Sequence, residues 1–344
     1  MSKQTLATKY RPTTFDDVTE QTSTKVILQQ QLETGDFKNA YLFVGGAGTG
    51  KTTCARIFAN EINKYEGEPI ELDAASNNGV DDAREIIQQA KTKSLDSEYK
   101  IFIIDECHML SNSAWNALLK LIEEPPAKSI FIFCTTNPEK IPKTILSRVQ
   151  RFDFKRISEL GIVDRLLDII DSENSEGANI GSYRDVISYI AKLADGGMRD
   201  AITMLDKCIS LSNDITMEIV IDALGVADFE TMRKLTDACI DYNTELIISI
   251  VEDVHSSGKD LKQFIRHYVN FILDIRKYQI FKNFGYISIP NTDDNATFLD
   301  EKARTDYEQS IIDLLNLLIK INAEIKYDSS PKYMIEAMLL GGLK

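Results

Sequence analysis

A glycine-rich stretch, GGAGTGKTT, occupies residues 45–53 and ends in a lysine and two threonines. Its spacing fits G-x-x-x-x-G-K-[ST], in which glycines let backbone N–H groups surround a phosphate. In such loops the lysine bridges the β- and γ-phosphates of a nucleoside triphosphate, and the first hydroxyl binds Mg²⁺. We therefore expect Lys51 to bind ATP and Thr52 to bind Mg²⁺. The predicted loop residues are Gly45, Gly46, Ala47, Gly48, Thr49, Gly50, Lys51, Thr52 and Thr53.

Two adjacent carboxylates follow an apolar run in IFIIDECH, residues 101–108. The run predicts a buried strand, and α/β sheets bind ligands at the carboxyl ends of their strands. Adjacent carboxylates can also form a solvated turn, but their position downstream of a phosphate loop favours a site. We expect Asp105 to hold Mg²⁺, through water, and Glu106 to act as general base on the attacking water. His108 is interpreted as a packing or polar-turn residue.

Short apolar runs alternate with amphipathic stretches in the first half of the chain. Strands are predicted at 41–44, 69–72, 101–105 and 129–136, and helices at 50–63, 80–92 and 112–123. This alternation predicts a parallel sheet with helices on both faces. From about residue 158 the strand signals stop, and apolar spacing predicts helices to the end, with a polar loop near 285–300.

Length and charge suggest more than one domain with different partners. The 344 residues exceed what one core usually organises, and the formal net charge is −14. Residues 1–156 hold 20 basic and 21 acidic side chains, whereas residues 157–344 hold 19 and 32. The near-neutral first part can present a local basic stripe to nucleic acid, and the acidic part suits protein contacts.

Composition also argues against export, a membrane span and a zinc site. The N-terminus lacks an apolar signal core, and no run approaches eighteen apolar residues. The cysteines form no CxxC pair, so we expect buried, reduced thiols and no zinc. They are Cys54, Cys107, Cys134, Cys208 and Cys239.

Six segments follow one another in the order of a known family. They are ATKYRPTTFDDVTEQ, NAYLFVGGAGTGKTT, ELDAASNNGVDDAREI, IIDECHMLSNSAWNALLKLIEEPP, TTNPEKIPKTILSRVQRFDF and GGMRDAITMLDK. On these segments the chain resembles the gamma/tau ATPase subunits of the bacterial DNA polymerase III clamp loader, which are AAA+ proteins. The resemblance is close over residues 4–225 and weaker in the C-terminal helices. It implies an α/β P-loop core with a parallel sheet at 1–157, an all-α lid at 158–225 and an all-α collar for oligomerisation at 226–344.

The resemblance also implies roles for individual residues. Tyr10, Arg11 and Pro12 match the segment that closes over the adenine. Thr136 matches the first sensor, which orients water or the γ-phosphate, although it could merely cap its strand. Arg199 matches the second sensor, which reaches the γ-phosphate from the lid, although it could merely begin a helix in solvent.

Arg148, in LSRVQRF, matches an arginine that completes the site of the neighbouring subunit. Such an arginine stabilises charge on the transferring phosphoryl group in trans. The resemblance therefore implies an arc of ATPases with shared sites, in which bound ATP locks the assembly and hydrolysis releases it. The implied partners are delta-like and delta-prime-like subunits, further copies of this chain, a sliding clamp and primed DNA.

DNA contact is implied by a set of surface residues that match the inner face of such an assembly. Helix N-termini and asparagine side chains suit phosphate oxygens, although each residue could be an ordinary surface residue. The set is Asn77, Asn78 and Gly79, preceded by Ser76, together with Lys120 and Lys140.

The sequence departs from the family pattern in three places. The interval ANEINKYEGEPIEL is too short for the family's four-cysteine zinc module and contains no cysteine. Val149 replaces the usual cysteine after the matched arginine, which we expect to change packing rather than chemistry. The chain ends after the collar-like helices without a Pro-rich linker, so it resembles the short gamma form. A bacterial and a viral origin both remain open.

The resemblance implies an ATP-driven motor subunit that opens a sliding clamp and loads it on primer–template DNA during replication. We expect Mg-dependent ATP hydrolysis that is stimulated by clamp and DNA. The expected location is the cytoplasm in association with the nucleoid, or the host cytoplasm for a viral protein. One alternative is a non-hydrolysing stator of the same assembly, which would not need Lys51 or Glu106. Another is a branch-migration motor, which would carry a winged-helix module after residue 225.

Overall fold

The structure is a computed structural model that describes residues 4–94, 96–225, 229–289, 293–325, 328 and 330–342. The chain divides into two compact units. The first comprises the residues up to Glu176 together with Leu193–Asp206, and the second comprises Gly177–Lys192 together with the chain from Lys207 onward. The division at 157 and 225 into core, lid and collar stays a prediction, and residues 226–228 at its second boundary lie outside the described residues.

The first unit is built on a five-stranded parallel sheet with the strand order β2-β3-β4-β1-β5. The four predicted strands and their parallel arrangement are confirmed, and a fifth strand was not predicted. In β5 the buried Phe152 and Phe154 alternate with the exposed Arg151 and Asp153, a pattern typical of a half-buried strand. The strands are β1 Ala40–Gly45, β2 Ile70–Asp73, β3 Lys100–Asp105, β4 Ser129–Thr135 and β5 Gln150–Phe154.

Helices cover both faces of this sheet. Alternate residues of β1 enter two different apolar clusters, because successive side chains of a strand point to opposite faces. Leu42 and Val44 pack with α4 and α5, whereas Tyr41 and Phe43 pack with α2 and α3. The first-unit helices are α1 Leu6–Lys9, α2 Thr22–Thr34, α3 Lys51–Ile62, α4 Val80–Ala90, α5 Asn112–Glu123, α6 Lys143–Leu146 and α7 Glu159–Ser175, with 3-10 turns at Cys107–Met109 and Pro138–Lys140.

The parallel strands end at one edge of the sheet. Val44 of β1 lies beside Thr135 of β4, and Asp73 of β2 lies beside Asp105 of β3. The glycine-rich loop, the carboxylate pair and Thr136 therefore all emerge at the same edge, where α/β sheets place their ligands.

The boundary between the two units falls within helices α8 and α9. These are α8 Arg184–Leu193 and α9 Met198–Leu211, and α10 Met217–Leu224 follows them. Two short strands, β6 Gly181–Ser182 and β7 Asp214–Ile215, pair in parallel within the second unit. The expectation that strands stop after residue 158 is wrong here, because two-residue strands carry too little apolar pattern to be read from sequence.

The second unit is helical around one large apolar cluster. The polar loop predicted near 285–300 is wrong from residue 293 onward, where helix α14, Asp293–Lys302, forms. Its buried Phe298 and Leu299 face that cluster, and Asp293 and Asp294 occupy the first turn, where acidic side chains are favourable. Residues 290–292 lie outside the described residues. The helices are α11 Phe229–Ile240, α12 Thr244–Ser256, α13 Leu261–Phe281, α14 Asp293–Lys302, α15 Glu308–Glu324 and α16 Pro331–Gly342, with 3-10 turns at Phe284–Tyr286 and Thr305–Tyr307.

All five cysteines are buried and unpaired, as predicted. Within the described ranges, no helix has both the length and the apolar composition needed to cross a bilayer. The same ranges contain no group of three or more histidine, cysteine, aspartate or glutamate side chains arranged to hold a metal ion.

Candidate nucleotide site

The glycine-rich loop has the geometry of a phosphate cradle between β1 and α3. Gly48 and Gly50 adopt positive φ angles of 69° and 97°, which side-chain-bearing residues rarely adopt. A Cβ on Gly45 would lie 2.5 Å from the carbonyl oxygen of Phe154, so only glycine fits there. The Thr49 hydroxyl donates to the Gly46 carbonyl at 2.9 Å and closes the turn.

Lys51 begins α3 with its side chain folded back over the loop. Only 6% of Lys51 is exposed, and its Nζ donates to the carbonyls of Gly45 and Gly46 at 2.9 and 2.7 Å. Burial lowers the pKa of Lys51, although Glu106 and Asp105 act in the opposite direction. An anion beside Nζ would favour the charged form of this lysine.

A cavity brings the predicted loop together with the N-terminal segment and the start of α9. Tyr10, Arg11 and Pro12 form one wall, and Met198, Arg199 and Ile202 form another. Between them lie residues 48–53 of the loop. The backbone N–H of Met198 donates to the Gly48 carbonyl at 3.0 Å, which joins α9 to the loop directly.

Positive charge is concentrated in this cavity. Burial lowers the pKa of Arg11, and the nearby guanidinium groups of Arg56 and Arg199 lower it further. Three cationic side chains line this small cavity: Arg11, Lys51 and Arg199. A polyphosphate would relieve this mutual repulsion, so the charges fit a nucleoside triphosphate.

Thr52 and Asp105, the two predicted magnesium ligands, are in contact. The Thr52 hydroxyl donates to Asp105 Oδ2 at 2.7 Å. Hydroxyl and carboxylate oxygens are hard donors of the kind that Mg²⁺ binds, while water and substrate phosphates usually complete its coordination. The pair therefore fits Mg²⁺ bound together with a nucleotide.

Glu106 is held by neighbours on β4 and on the turn that follows β3. Its Oε2 accepts from the Thr136 hydroxyl at 3.0 Å and lies 3.1 Å from His108 Nδ1. His108 Nδ1 also lies 3.2 Å from the Thr135 hydroxyl. His108 thus belongs to this cluster, a position that sequence reasoning missed. The 3-10 turn Cys107–Met109 brings His108 back toward Glu106. In the sequence, the only signal for this contact is that His108 follows Glu106 by two residues in DECH.

Arg148 does not line this cavity. Its guanidinium pairs with Glu123 at 2.8 Å and donates to the Thr144 carbonyl at 2.6 Å, with 37% of the side chain exposed. Val149, in the place of the family's cysteine, packs against an apolar cluster of the sheet. The position of Arg148 at the surface is compatible with a role toward another subunit.

The predicted DNA-contacting residues at the start of α4 are mostly engaged within the chain. The Asn77 amide donates to the Asp73 carbonyl at 3.1 Å, and the Asn78 carbonyl accepts from Ser111 N at 3.0 Å. The Gly79 N–H donates to Asp82 Oδ2 at 2.8 Å, so a carboxylate already occupies this helix N-terminus. This part of the set is therefore poorly suited to a phosphate, and its DNA contact stays a prediction.

Lys120 and Lys140 are both exposed. Lys120 lies in the last turn of α5, and Lys140 ends the 3-10 turn Pro138–Lys140. Their contact with DNA also stays a prediction.

The fold is similar to that of solved AAA+ motors. The Holliday junction branch migration motor RuvB of Thermotoga maritima aligns with a TM-score of 0.51 at 19% sequence identity. The alignment covers 68% of this chain and 80% of the RuvB chain. At this identity the similarity shows the fold alone.

The sequence matches two families of DNA polymerase III subunits. The family described as DNA polymerase III, delta subunit, matches residues 61–158, and subunits gamma and tau domain III matches residues 215–341. Subunit tau of Bacillus subtilis is 38% identical over 99% of this chain and 63% of its own length. Subunit gamma/tau of Mycoplasma genitalium is 32% identical over 81% and 50%, and subunit tau of Escherichia coli is 32% identical over 75% and 43%. The chain thus spans less than two thirds of these relatives. It belongs to the gamma and tau family of DNA polymerase III subunits.

Proposed function

We propose that this protein is the ATP-driven motor subunit of a clamp loader, which opens a sliding clamp and loads it on primer–template DNA. The observation that carries the proposal is the convergence of three cations, Lys51, Arg11 and Arg199, on one cavity beside the Thr52–Asp105 pair. This combination suits Mg·ATP, and membership of the gamma and tau family supports its use in replication.

In the proposed reaction, Glu106 accepts the proton of the water that attacks the γ-phosphate. Its carboxylate is oriented by Thr136 and His108, which both contact Oε2. Mg²⁺, held by Thr52 and Asp105, would neutralise phosphate charge. Lys51 and Arg199 bind the phosphates, while Tyr10, Arg11 and Pro12 enclose the base.

Arg148 acts in trans in this proposal. Its surface position and its absence from the cavity lining support a role in the site of a neighbouring subunit, where it stabilises charge on the transferring phosphoryl group. The neighbours are further copies of this chain and delta-like or delta-prime-like subunits, and the complex works in the cytoplasm on the nucleoid. Head-to-tail contacts of this type are heterologous and can form an open arc.

A non-hydrolysing stator is the principal alternative. A stator needs only Arg148, so the assembled set of Lys51, Thr52, Asp105 and Glu106 supports the motor instead. The branch-migration alternative requires a winged-helix module after residue 225. In the described part of that region the elements are α-helices and 3-10 turns.

The decisive experiment measures ATP binding and hydrolysis by the purified protein, first alone and then with partner subunits, clamp and primed DNA. We expect binding by the protein alone and rapid turnover only in the assembly. Arg148→Ala should retain ATP binding and lose the stimulated turnover. The matched control is Arg151→Ala, which removes an exposed arginine paired with Asp153. Equal turnover of Arg148→Ala and wild-type assemblies would refute the role in trans.

DNA contact by Lys120 and Lys140 is tested by salt-dependent binding of primer–template DNA to the assembly. A double alanine variant should flatten the dependence of log affinity on log salt, because two phosphate contacts are lost. Alanine at the exposed Lys91 and Lys128 provides the control. An unchanged slope for the Lys120/Lys140 variant would contradict the assignment.

A further inference from the structure

The N-terminal wall of the nucleotide cavity is held in place by contacts with other elements of the first unit. The segment that carries Tyr10 and Pro12 contains only one helical turn, α1, of four residues. So short a helix is not stable on its own in water. The contacts that the segment makes with the rest of the first unit must therefore determine where its side chains lie.

The main anchor of this wall is Glu173, in the last turn of α7. Glu173 is 9% exposed. Its Oε1 accepts from Lys9 Nζ at 2.8 Å and from the Tyr10 hydroxyl at 2.9 Å. One buried carboxylate oxygen thus binds Tyr10 of the cavity wall and Lys9, the residue that precedes it.

Weaker contacts surround this anchor. Lys9 also pairs with Glu176, whose side chain is 62% exposed. The Tyr10 carbonyl accepts from Arg165 of α7 at 3.3 Å, and the Leu6 N–H donates to Asp206 of α9 at 3.2 Å. An exposed pair such as Lys9–Glu176 contributes little, whereas the buried oxygen of Glu173 leaves a donor unpaired when it is removed.

Burial raises the pKa of Tyr10, and the hydrogen bond to Glu173 raises it further. The phenol is therefore protonated and donates throughout the physiological range. Its hydroxyl is bonded to Glu173 of α7.

We propose that Glu173 is a positioning residue for nucleotide recognition, which acts through Lys9 and Tyr10 on the nucleoside end of the ligand and not on its phosphates. The proposal rests on the function proposed above. Its basis is a division within the cavity, because Glu173 anchors the Tyr10 wall, whereas Lys51 and Thr52 are fixed by the loop and by Asp105. Loss of Glu173 therefore weakens selection of a nucleoside triphosphate over a bare polyphosphate.

The test is calorimetric titration of the purified chain with two probes, Mg·ATP and Mg·tripolyphosphate, which lacks ribose and base. For Glu173→Ala we expect ATP affinity to fall about tenfold, the equivalent of one hydrogen bond to a charged group, with tripolyphosphate affinity unchanged. Glu173→Gln keeps an acceptor for Tyr10, so its ATP affinity should fall only about threefold, since only the ionic part of the contact is lost. The matched control Glu176→Gln should change ATP affinity by less than about twofold.

A double-mutant cycle separates positioning from a general effect on folding. Tyr10→Phe removes only the hydroxyl, and Glu173→Ala in that background should cost less ATP affinity than in the wild type. Glu173→Gln and Tyr10→Phe also carry the test if Glu173→Ala does not fold. Wild-type ATP affinity in the Glu173 variants, or an equal loss for both probes, would overturn this inference alone. Failure of the wild type to bind ATP would overturn the proposed function and this inference together.

Discussion

Each of the two units buries a lysine, but the two lysines have opposite surroundings. Lys51 in the first unit is 6% exposed, and Lys302 in the second is 4% exposed. Lys51 donates to two backbone carbonyls, and burial lowers its pKa. Burial alone would also lower the pKa of Lys302, but its bonds to Asp237 and Glu301 outweigh burial and raise it.

The same difference extends to the neighbours of each lysine. Lys51 shares its cavity with Arg11 and Arg199, so positive charge accumulates there. Lys302 lies between two carboxylates and 4.4 Å from the ring centroid of Tyr307, so its charge is neutralised within the unit. The first unit therefore concentrates positive charge that a bound anion would neutralise, whereas in the second unit carboxylates of the chain itself neutralise the lysine. Four predictions test this contrast.

The largest effect is expected at Glu106, the proposed general base of the first unit. Glu106→Gln retains size and an acceptor for Thr136 but cannot take a proton from water. We expect stimulated ATP turnover of the assembly to fall by about a thousandfold, with ATP affinity nearly unchanged. Single-turnover hydrolysis and calorimetry measure the two quantities. Retained turnover would contradict the assignment of Glu106 as the general base.

The next effect concerns Lys51 itself. Lys51→Met should weaken ATP binding by about a hundredfold, or about 3 kcal/mol, because a charged donor to the phosphates is lost. Folding stability should change little, since within the described residues the ammonium group of Lys51 bonds to two backbone carbonyls and to no carboxylate. Thermal unfolding with and without Mg·ATP measures both. ATP should stabilise the wild type and leave the variant unchanged.

Lys302→Met is the matched substitution in the second unit, and it should lower folding stability rather than ATP affinity. It leaves Asp237 and Glu301 without their shared partner, and the Asp237 Oδ1 that contacts the lysine is itself buried, although each of the two side chains is 45% exposed. We expect a loss of about 2 kcal/mol in unfolding free energy, less than for a fully buried pair, with ATP affinity unaltered. Denaturant unfolding gives the first value and calorimetry the second. A stable variant would contradict the structural role of this lysine.

The smallest effect is a pH dependence in the second unit. Burial lowers the pKa of His267, adjacent Arg266 lowers it further, and its Nδ1 has no hydrogen-bond partner among the described residues. Unfolding restores the ordinary pKa of about 6.5, so the unfolded chain binds the proton first as pH falls. His267 should therefore cost stability below about pH 6.5, by less than about 1 kcal/mol.

His267→Leu should remove the part of the loss in unfolding free energy at low pH that comes from His267. Unfolding free energies at pH 7.5 and 5.5 measure the difference, with His255→Leu, at the end of α12, as the control. Identical pH slopes for the wild type and His267→Leu would contradict the prediction.

Local signals account for the parts of the fold that sequence predicted. The glycine spacing, the apolar runs of β1, β3 and β4, and the carboxylates after β3 all depend on neighbours in sequence. Helix α2 was not predicted because its segment TSTKVILQQQLET is polar and only weakly amphipathic. Helix α14 was mistaken for a loop because its polar residues outnumber the two apolar residues that hold it in place.

Contacts between distant residues account for what sequence could not supply. The Thr136–Glu106 bond joins residues 30 apart, and the Lys9–Glu173 pair joins residues 164 apart. Family resemblance identified Tyr10, Thr136 and Arg199 as site residues without indicating what holds them. His108 lies against Glu106, and Glu173 accepts a hydrogen bond from Tyr10, but no family motif identifies these two contacts.

The backbone at Glu106 has a consequence for engineering this protein. Glu106 has a φ of 45°, in the left-handed region that glycine tolerates better than other residues. Retaining a carboxylate there imposes conformational strain of about 1 kcal/mol. Selection for heat resistance alone would favour glycine or asparagine at this position, and, on the function proposed above, such variants would lack the base that hydrolysis requires. Any thermostabilisation campaign should therefore screen for turnover at every round.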